Sequence, residues 1–373
     1  MKGIYIYYNE IDEKRISGID KKVLSQIRLF ENNGLDCELV VFPYIHTVKN
    51  KILDRIPFTN VGPRWVFDDR FKKIDYIYFR RPFYMGYGFR NFLRKIKKEN
   101  PAIKIIMEIP TYPYDHEIMA GILNYPLHVK DVYNRKRLKG LVDRVPIIGE
   151  TDNLPNLWGI KTIPFVNGIE IKTIRPKKDA HIENEIHLLS VSTIEFWHGY
   201  DRMIKGLEKY YKKNIAHRKV IFHIVGTGND EEQYRQIVKE SNLEKCVIFE
   251  GELHGGSLDI IYDQSDIAIE CLGMYRKNMS ISSSLKSREY LAKGLPIVAG
   301  CKNDIINEKN PFKYYLEVPN NDSEIDIEKI IEFYDQIYST QSRQQVISEI
   351  RKFAEDNIDL NVTMKKIIDY IKE

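Results

Sequence analysis

The stretch Ser282-Ser-Ser-Leu-Lys-Ser-Arg-Glu-Tyr-Leu-Ala-Lys-Gly-Leu-Pro-Ile-Val-Ala-Gly300 decides the fold. Its serines precede a helical pattern, Gly294 ends that pattern, and an apolar run of strand length follows at once. The first turn of such a helix offers unpaired N–H groups and hydroxyls to an anion, and Lys286 adds a positive charge. The alternative interpretation is a capped helix with a solvated outer face.

Strand-sized apolar runs alternate with helical patterns on both sides of this stretch. In the second half these runs are 187–191, 220–225, 247–249, 267–270 and 296–299. In the first half they are 3–8, 37–42, 76–79, 104–109 and 144–148. This alternation predicts parallel, doubly wound sheets, so we expect an α/β fold.

The length of the chain predicts two domains, because 373 residues exceed what one core usually supports. The strand and helix pattern also restarts near Ile163. We therefore expect a Rossmann-like N-terminal domain over 1–165 and a Rossmann-like C-terminal domain over 166–345. A helical tail over 346–373 could cross back onto the first domain.

Composition excludes several classes of protein. Hydrophobic residues make up 43% and charged residues 29%, as in ordinary globular proteins. The four cysteines are far apart, which predicts neither a disulfide framework nor a zinc site. The chain begins as a strand and contains no apolar run of about 18 residues. We expect a cytoplasmic protein, at most peripheral at the inner face of the plasma membrane.

The motifs around Glu289 resemble those of a known family. Glu289 followed by Ala292-Lys-Gly-Leu-Pro296 is similar to the second glutamate and glycine-proline turn of the group 1, or family four, retaining glycosyltransferases of GT-B fold. The first glutamate of that motif would fall at Ile281. Further similar segments stand in order at 166–169, 224–228, 249–253 and 262–269, and Gly18 leads a helix as in the family.

The resemblance implies two Rossmann-like domains that face each other across a cleft, with the donor nucleotide in the C-terminal domain. It implies transfer, with retention and without a metal, of a hexose-type sugar from a nucleoside diphosphate, UDP being favoured. The acceptor would be a hydroxyl of a glycan or a lipid-linked oligosaccharide for a surface polysaccharide. No cofactor is expected, since the sugar nucleotide is a substrate. The alternatives are a sugar-nucleotide epimerase of the same fold and a non-catalytic binding or scaffold protein.

Donor-binding roles follow from the same resemblance. Glu289 would hold the ribose, and the loop after residue 249 would contact the base. Where the family offers an arginine and a Lys-Gly to the diphosphate, this chain has Ser192 and His198-Gly199. A neutral serine cannot balance phosphate charge, so we expect His198, Arg202 and Lys286 to do so. The predicted donor-binding set is Gly18, Arg202, Gly226, Glu250, Glu252, Leu253, Ser282, Ser283, Ser284, Leu285 and Glu289.

The predicted catalytic set is Asp115, His116, His198 and Lys286, and no residues are assigned to a metal. Asp115 and His116 follow a predicted strand of the first domain, and the carboxyl ends of such strands face ligands in open α/β sheets. In the resembling family this loop reaches the transferred sugar or the acceptor. The alternative is a structural loop rich in tyrosine and proline.

A basic, aromatic segment spans 79–98 within a region, 49–104, whose net charge is +10. Its apolar positions form one helical face and its basic positions the other. One interpretation is a surface helix packed on its own sheet. Another is a patch for anionic lipid headgroups or a lipid diphosphate. Nucleic acid is not expected, because no nucleic-acid-binding module accompanies the segment.

Overall fold

The computed structural model describes residues 1–11, 17–44, 47–56, 59, 63–119, 121–149, 154–213 and 218–373. The side chains of residues 116, 117, 122 and 149 are not described. The chain forms two compact units. The first comprises 1–167 and 360–373, and the second comprises 168–359.

The first unit is built on a seven-stranded sheet in the order β2-β1-β3-β4-β5-β7-β6. All pairs are parallel except β6 with β7. The strands are β1 (Lys2–Tyr7), β2 (Asp36–Val41), β3 (Tyr76–Arg80), β4 (Lys104–Tyr112), β5 (Val145–Gly149), β6 (Asn156–Leu157) and β7 (Ile160–Pro164). The direction of winding reverses between β1 and β3, which creates a crevice at their carboxyl ends.

Five helices connect these strands: α1 (Gly18–Asn32), α2 (Val48–Arg55), α3 (Tyr87–Glu99), α4 (Asp115–Ile118) and α5 (Tyr125–Arg135). Ser17 and Asp20 form a capping box at the start of α1. The apolar face of α3 is buried in the core, so the interpretation of a surface helix packed on its own sheet is confirmed for 87–98, while 79–86 form the end of β3 and a loop.

A buried carboxylate holds the centre of the first unit together. Glu108 on β4 is fully buried, and its Oε1 lies 2.8 Å from Lys22 Nζ and 3.4 Å from Arg80 Nε. Tyr78 donates its hydroxyl to Glu108 Oε2 at 2.6 Å. Burial alone would raise the pKa of Glu108, but the charges of Lys22 and Arg80 outweigh it and lower the pKa to about 2.

The second unit contains a six-stranded parallel sheet in the order β10-β9-β8-β11-β13-β15 and a two-stranded sheet of β12 and β14. The strands are β8 (Glu185–Val191), β9 (Lys219–Val225), β10 (Val247–Gly251), β11 (Ile267–Ile269), β12 (Ile281–Ser282), β13 (Ile297–Ala299), β14 (Lys302–Asn303) and β15 (Tyr315–Glu317). The helices are α6 (Tyr200–Lys212), α7 (Glu231–Glu240), α8 (Gly255–Gln264), α9 (Leu285–Lys293), α10 (Ile327–Tyr338) and α11 (Arg343–Ile358). Winding reverses between β8 and β11.

After α11 the chain returns to the first unit with α12 (Leu360–Thr363) and α13 (Lys365–Lys372). Met364, Ile367 and Ile371 are buried in the same apolar cluster as Tyr5. Lys104 Nζ donates to the carbonyls of the last turn of α13 at 3.0 Å. The last residues are therefore part of the first core.

The α/β class and the two parallel-sheet units that the sequence predicts are confirmed. The five strands predicted for each half all form, with boundaries that differ by at most a few residues. Gly294 ends α9 in a left-handed conformation, as the sequence predicts.

Candidate functional site

The candidate site lies in the second unit where winding reverses, at the carboxyl ends of β8 and β11. Ser192 follows β8, and Glu270 follows β11. In open α/β sheets this is the point at which ligands bind. The start of α9 comes to the same place, because Ser284 donates its hydroxyl to Glu270 Oε1 at 2.7 Å.

The serine loop caps α9 and is tied into the protein. Ser284 Oγ accepts the N–H of Ser287 at 3.1 Å, and Ser283 Oγ accepts from Arg288 at 3.1 Å. Ser282 Oγ lies 3.4 Å from Glu270 Oε1. The N–H groups of Leu285 and Lys286 have no acceptor within the helix, so they are what the helix start can offer to an anion.

Lys286 and Glu270 place two enclosed, opposite charges near each other without a direct ion pair. Lys286 Nζ and Glu270 Oε2 are both buried, and neither has a hydrogen-bond partner among the described residues. Burial opposes the charge of Lys286, but the nearby Glu270 carboxylate outweighs it and raises the pKa of Lys286. The site therefore holds a fixed cation whose hydrogen-bonding capacity is unused within the described part of the chain.

His198 lies beside this cation and is uncharged. Burial and the charges of Lys286 and Lys277 lower the pKa of His198 to about 2. Its Nδ1 accepts the N–H of Glu195 at 3.2 Å, which leaves the proton on Nε2. His198 can therefore donate a hydrogen bond but does not supply the positive charge that we expected from it.

Three hydroxyl groups, those of Tyr200, Ser190 and Ser192, form a cluster next to His198. The ring of Tyr200 stacks on the His198 ring with centroids 5.5 Å apart. Its hydroxyl lies 2.7 Å from Ser190 Oγ and 2.6 Å from Ser192 Oγ. Ser192, which replaces the family's arginine, thus belongs to a polar network of the protein.

Arg202 is occupied by the backbone. Its guanidinium donates to the carbonyls of Ser323 at 2.6 Å and Pro319 at 2.8 Å, and also to that of Leu272. The residue is 1% exposed. In this structure Arg202 therefore fixes the loops around the site, and it would have to break these bonds to reach a diphosphate.

The turn after β9 packs against the loop that follows β8, next to the site. Gly226 has φ +122°, and a Cβ there would lie 2.0 Å from Ser192 O. Only glycine allows this turn and the 192–194 loop to approach so closely. Gly226 therefore has a packing role that is independent of any ligand.

The end of β10 and the loop after it contain three predicted donor-binding residues in different settings. Glu250 Oε1 lies 2.7 Å from His223 Nδ1, and His223 Nε2 lies 2.9 Å from His187 Nδ1. Glu252 is exposed and Leu253 is half-buried. Glu250 is therefore held by the sheet, whereas Glu252 and the backbone around it are accessible.

Glu289 is half-buried on α9 near the fully buried Tyr262. Burial and the Glu289 carboxylate together raise the pKa of Tyr262 well above its usual range. Tyr262 thus stays protonated near the carboxylate that we expect to hold the ribose, and its buried hydroxyl makes no hydrogen bond among the described residues.

In the first unit, Asp115 on α4 lies 2.9 Å from Arg135 Nη2 and 3.4 Å from His128 Nδ1. The negative charge of Asp115 is therefore partly balanced by Arg135 on α5. The backbone of His116 lies on the same helix, but its side chain is outside the described residues. Gly18 is the first residue of α1, and a Cβ there would contact nothing within 4 Å.

A pocket of about 330 Å³ lies where winding reverses in the first unit. Tyr8 follows β1, Tyr44 follows β2, and Tyr84 follows β3. Asp54 on α2 anchors the wall, since it accepts the hydroxyl of Tyr84 at 2.5 Å and that of Tyr44. The lining is mainly apolar and aromatic, which suits the face of a sugar ring or an acyl chain.

Sequence reasoning missed Glu270, Tyr200 and the tyrosines of this pocket. The sequence did contain a signal for Glu270. An acid at the end of an otherwise apolar strand costs free energy to bury unless it has a partner, so its presence indicates a role in binding or structure. Within the described ranges, no group of three His, Cys, Asp or Glu side chains could hold a metal ion. Every described helix is too short or too polar to cross a bilayer.

Residues 171–353 match the sequence profile of a family described as glycosyl transferases group 1. No curated protein matches the chain significantly in sequence. A glycosyltransferase from Rickettsia africae ESF-5 is similar in structure, with a TM-score of 0.63 at 14% identity over 100% of this chain and 97% of that one. The lipopolysaccharide outer core galactosyltransferase WaaB gives 0.60 at 14% identity, with 100% of both chains covered. Anabaena HepE in complex with UDP gives 0.60 at 12% identity, again with 100% of both chains covered.

At these identities the structural similarity establishes the fold alone, and the neighbours are GT-B glycosyltransferases. The family match covers nearly all of the second unit, which contains Lys286, Glu270 and Glu289. The sequence-based identification is thereby confirmed in its main part: residues 171–353 form a group 1 glycosyltransferase domain, and the chain is a glycosyltransferase of GT-B fold.

Proposed function

We propose that the enzyme transfers a hexose-type sugar from a nucleoside diphosphate, UDP in the first instance, to a hydroxyl of a glycan or lipid-linked acceptor. Transfer proceeds with retention and without a metal or resident cofactor. The observation that carries the donor assignment is the enclosed Lys286 ammonium, which has no hydrogen-bond partner among the described residues. An ammonium at a helix start suits a phosphate.

The diphosphate binds against the start of α9. The N–H groups of Leu285 and Lys286 and the Lys286 ammonium meet its charge, which grows as the bond to the sugar breaks. His198 donates from Nε2 as a neutral group. A leaving phosphate oxygen accepts the proton of the acceptor hydroxyl, so that the acceptor oxygen bonds to the anomeric carbon as the sugar–phosphate bond breaks.

Two carboxylates orient the donor. Glu289 accepts the ribose hydroxyls, with Tyr262 beside it. Glu270 Oε2 lacks a partner among the described residues and accepts a hydroxyl of the transferred sugar. Glu270 also keeps Lys286 charged, and it compensates for the absence of a glutamate at Ile281. The loop after β10, with Glu252 and Leu253, contacts the base.

The aromatic pocket of the first unit binds the acceptor. Its tyrosines present flat apolar faces, and Asp54 and Lys51 provide polar contacts at its wall. Asp115 and His116, on α4 of the same unit, orient the acceptor hydroxyl. WaaB and HepE support the general assignment, since the first is named as a galactosyltransferase and the second was solved with UDP.

The test is thermal unfolding of the wild type and of Lys286→Met with UDP-, GDP- and ADP-sugars. We expect a UDP-sugar to raise the melting temperature of the wild type, because a ligand stabilises the state that binds it. Lys286→Met should lose this shift, while Lys302→Ala, an exposed lysine of the same unit, should keep it. Equal shifts in wild type and Lys286→Met would refute the donor assignment.

Measuring the release of UDP distinguishes an enzyme from a protein that only binds the donor. With its own donor and no acceptor, the wild type should release UDP slowly, by transfer to water. A shift in melting temperature with no release under any acceptor condition would contradict sugar transfer.

A further inference from the structure

Exposed apolar side chains concentrate on two neighbouring helices of the first unit. Eight of the sixteen exposed large apolar residues among the described ones lie in 48–56 and 119–133. On α2 they lie at Val48 and Ile52, and Ile56, four residues further on, directly follows the helix. On α5 they recur in the same way, at Tyr125, Val129 and Tyr133. This spacing places each set along one face of its helix.

The two stripes are held next to each other. Arg55 at the end of α2 donates to Leu123 O at 2.8 Å and to Asn124 Oδ1 at 2.7 Å, just before α5 begins. Leu123 is 72% exposed, so it extends the apolar surface between the helices. We call the exposed residues of 48–56 and 119–137 the docking face. An apolar patch of this kind usually marks an interaction site.

The exposed charged side chains described on the two helices of the docking face are all positive. Lys49 and Lys51 are exposed on α2, and Lys136 and Arg137 are exposed at the end of α5. The acids of the two helices, Asp54 and Asp131, are both buried. Asp131 is used internally, where it accepts the N–H of Met85 at 2.8 Å. In the described part of 47–56 and 121–137, no acidic side chain faces solvent.

We propose that the docking face binds an anionic lipid surface. Its apolar stripes enter the boundary between headgroups and acyl chains, and its lysines and arginines meet the anionic headgroups. The pocket in the first unit lies against the same helices, because Lys51, Arg55, Asn124 and Leu127 line it. A lipid surface held here is adjacent to the proposed acceptor pocket.

Two other arrangements fit less well. A second copy joined through this face by a two-fold axis would bring like positive charges together. The basic segment 79–98 offers little apolar surface for insertion, since the apolar face of α3 is buried and Phe83 is its one exposed large apolar side chain. Three of its arginines, Arg80, Arg81 and Arg90, are buried as well. The exposed cations that remain on α3 are Arg94, Lys95 and Lys98.

Vesicle flotation of the whole chain tests the proposal without donor or acceptor, so its outcome is independent of the transfer assignment. We expect binding to vesicles of phosphatidylcholine mixed with phosphatidylglycerol and much weaker binding to phosphatidylcholine alone. Lys49→Ala and Lys136→Ala should each weaken binding about fivefold. Ile52→Ser and Val129→Ser should each weaken it about tenfold.

Matched controls come from the same unit. Val362→Ser and Lys366→Ala change an exposed apolar and an exposed basic residue outside the docking face, and should leave binding unchanged. The proposal is overturned if the docking-face variants bind as the wild type does, or if only the triple variant Arg94→Ala, Lys95→Ala, Lys98→Ala loses binding. It is also overturned if sedimentation shows a dimer that Ile52→Ser dissociates, with no vesicle binding by the wild type.

Discussion

Ser284 donates its hydroxyl to Glu270 Oε1 across 2.7 Å, which joins the start of α9 to the end of β11. The same serine oxygen accepts the N–H of Ser287, so it is both the helix cap and the anchor of a buried carboxylate. The second oxygen of Glu270 is left facing the site beside the charge of Lys286. One contact therefore positions the helix start, the acid and the cation together.

Glu270→Gln should impair donor turnover by about 10²- to 10³-fold, because it removes the charge that keeps Lys286 protonated and a proposed contact to the sugar. The unfolding free energy should fall by only about 1 to 3 kcal/mol, since the amide keeps the shape and can still accept from Ser284. Turnover is measured by UDP release and stability by urea unfolding.

The control for this substitution is Glu332→Gln, which neutralises an exposed acid on α10 of the same unit. It should change neither turnover nor stability appreciably. Glu270 has no part in donor chemistry if Glu270→Gln turns over the donor at the wild-type rate.

The lowered pKa of His198 predicts that the free energy of unfolding decreases as the pH becomes mildly acidic. Its folded pKa of about 2 lies below the usual value of about 6.5 in an unfolded chain. Below pH 6.5 the unfolded state takes up a proton that the folded state refuses, so the stability is present above about pH 6.5 and is lost as pH falls. The unfolding free energy should decrease by about 1.6 kcal/mol in total between about pH 6.5 and 5, with a slope that approaches about 1.4 kcal/mol per pH unit at the acidic end.

Urea unfolding across this pH range measures the slope. His198→Asn provides the comparison, because its side-chain oxygen can still accept the N–H of Glu195 while no group titrates there. The variant should show a slope shallower by one proton. Parallel slopes would mean that His198 is protonated to the same extent in both states.

The alternation of strands and helices was sufficient to predict both sheets, because buried parallel strands are continuous apolar runs that polar turns separate. Lys286 and Glu289 could be selected since they lie one turn apart on a capped helix. Glu270 could be noticed as an acid at the end of an apolar strand, but its place beside Lys286 could not be predicted, because its link to Ser284 joins residues 14 apart in the chain between β11 and α9. Arg202 illustrates the opposite error, since sequence gives its charge but not the carbonyls that occupy it.

Glu108 should be the most important charge for the stability of the first unit. Glu108→Gln leaves Lys22 and Arg80 buried without their counter-charge, so we expect a loss of about 3 to 5 kcal/mol in the unfolding free energy. Glu38→Gln is the matched control, because Glu38 pairs with Arg70 at the surface and both side chains are about half exposed. That loss should be at most about 1 kcal/mol. Similar losses in both variants would contradict the role assigned to burial.

Replacement by alanine should destabilise the protein strongly at Gly226 and hardly at all at Gly18. Gly226→Ala places a methyl group 2.0 Å from Ser192 O in a left-handed backbone, so we expect a loss of at least about 3 kcal/mol in the unfolding free energy. Gly18→Ala meets nothing within 4 Å at the first position of α1, so the unfolding free energy should change by no more than about 0.5 kcal/mol.

Kinetics then decide what Gly18 does. If the donor approaches the backbone at Gly18, the added methyl group blocks that approach and raises KM for the donor while the melting temperature stays constant. Because the unliganded protein has room for a Cβ there, only a ligand could account for such an effect. An unchanged KM in Gly18→Ala would remove Gly18 from the donor site and leave it as the first residue of a capped helix.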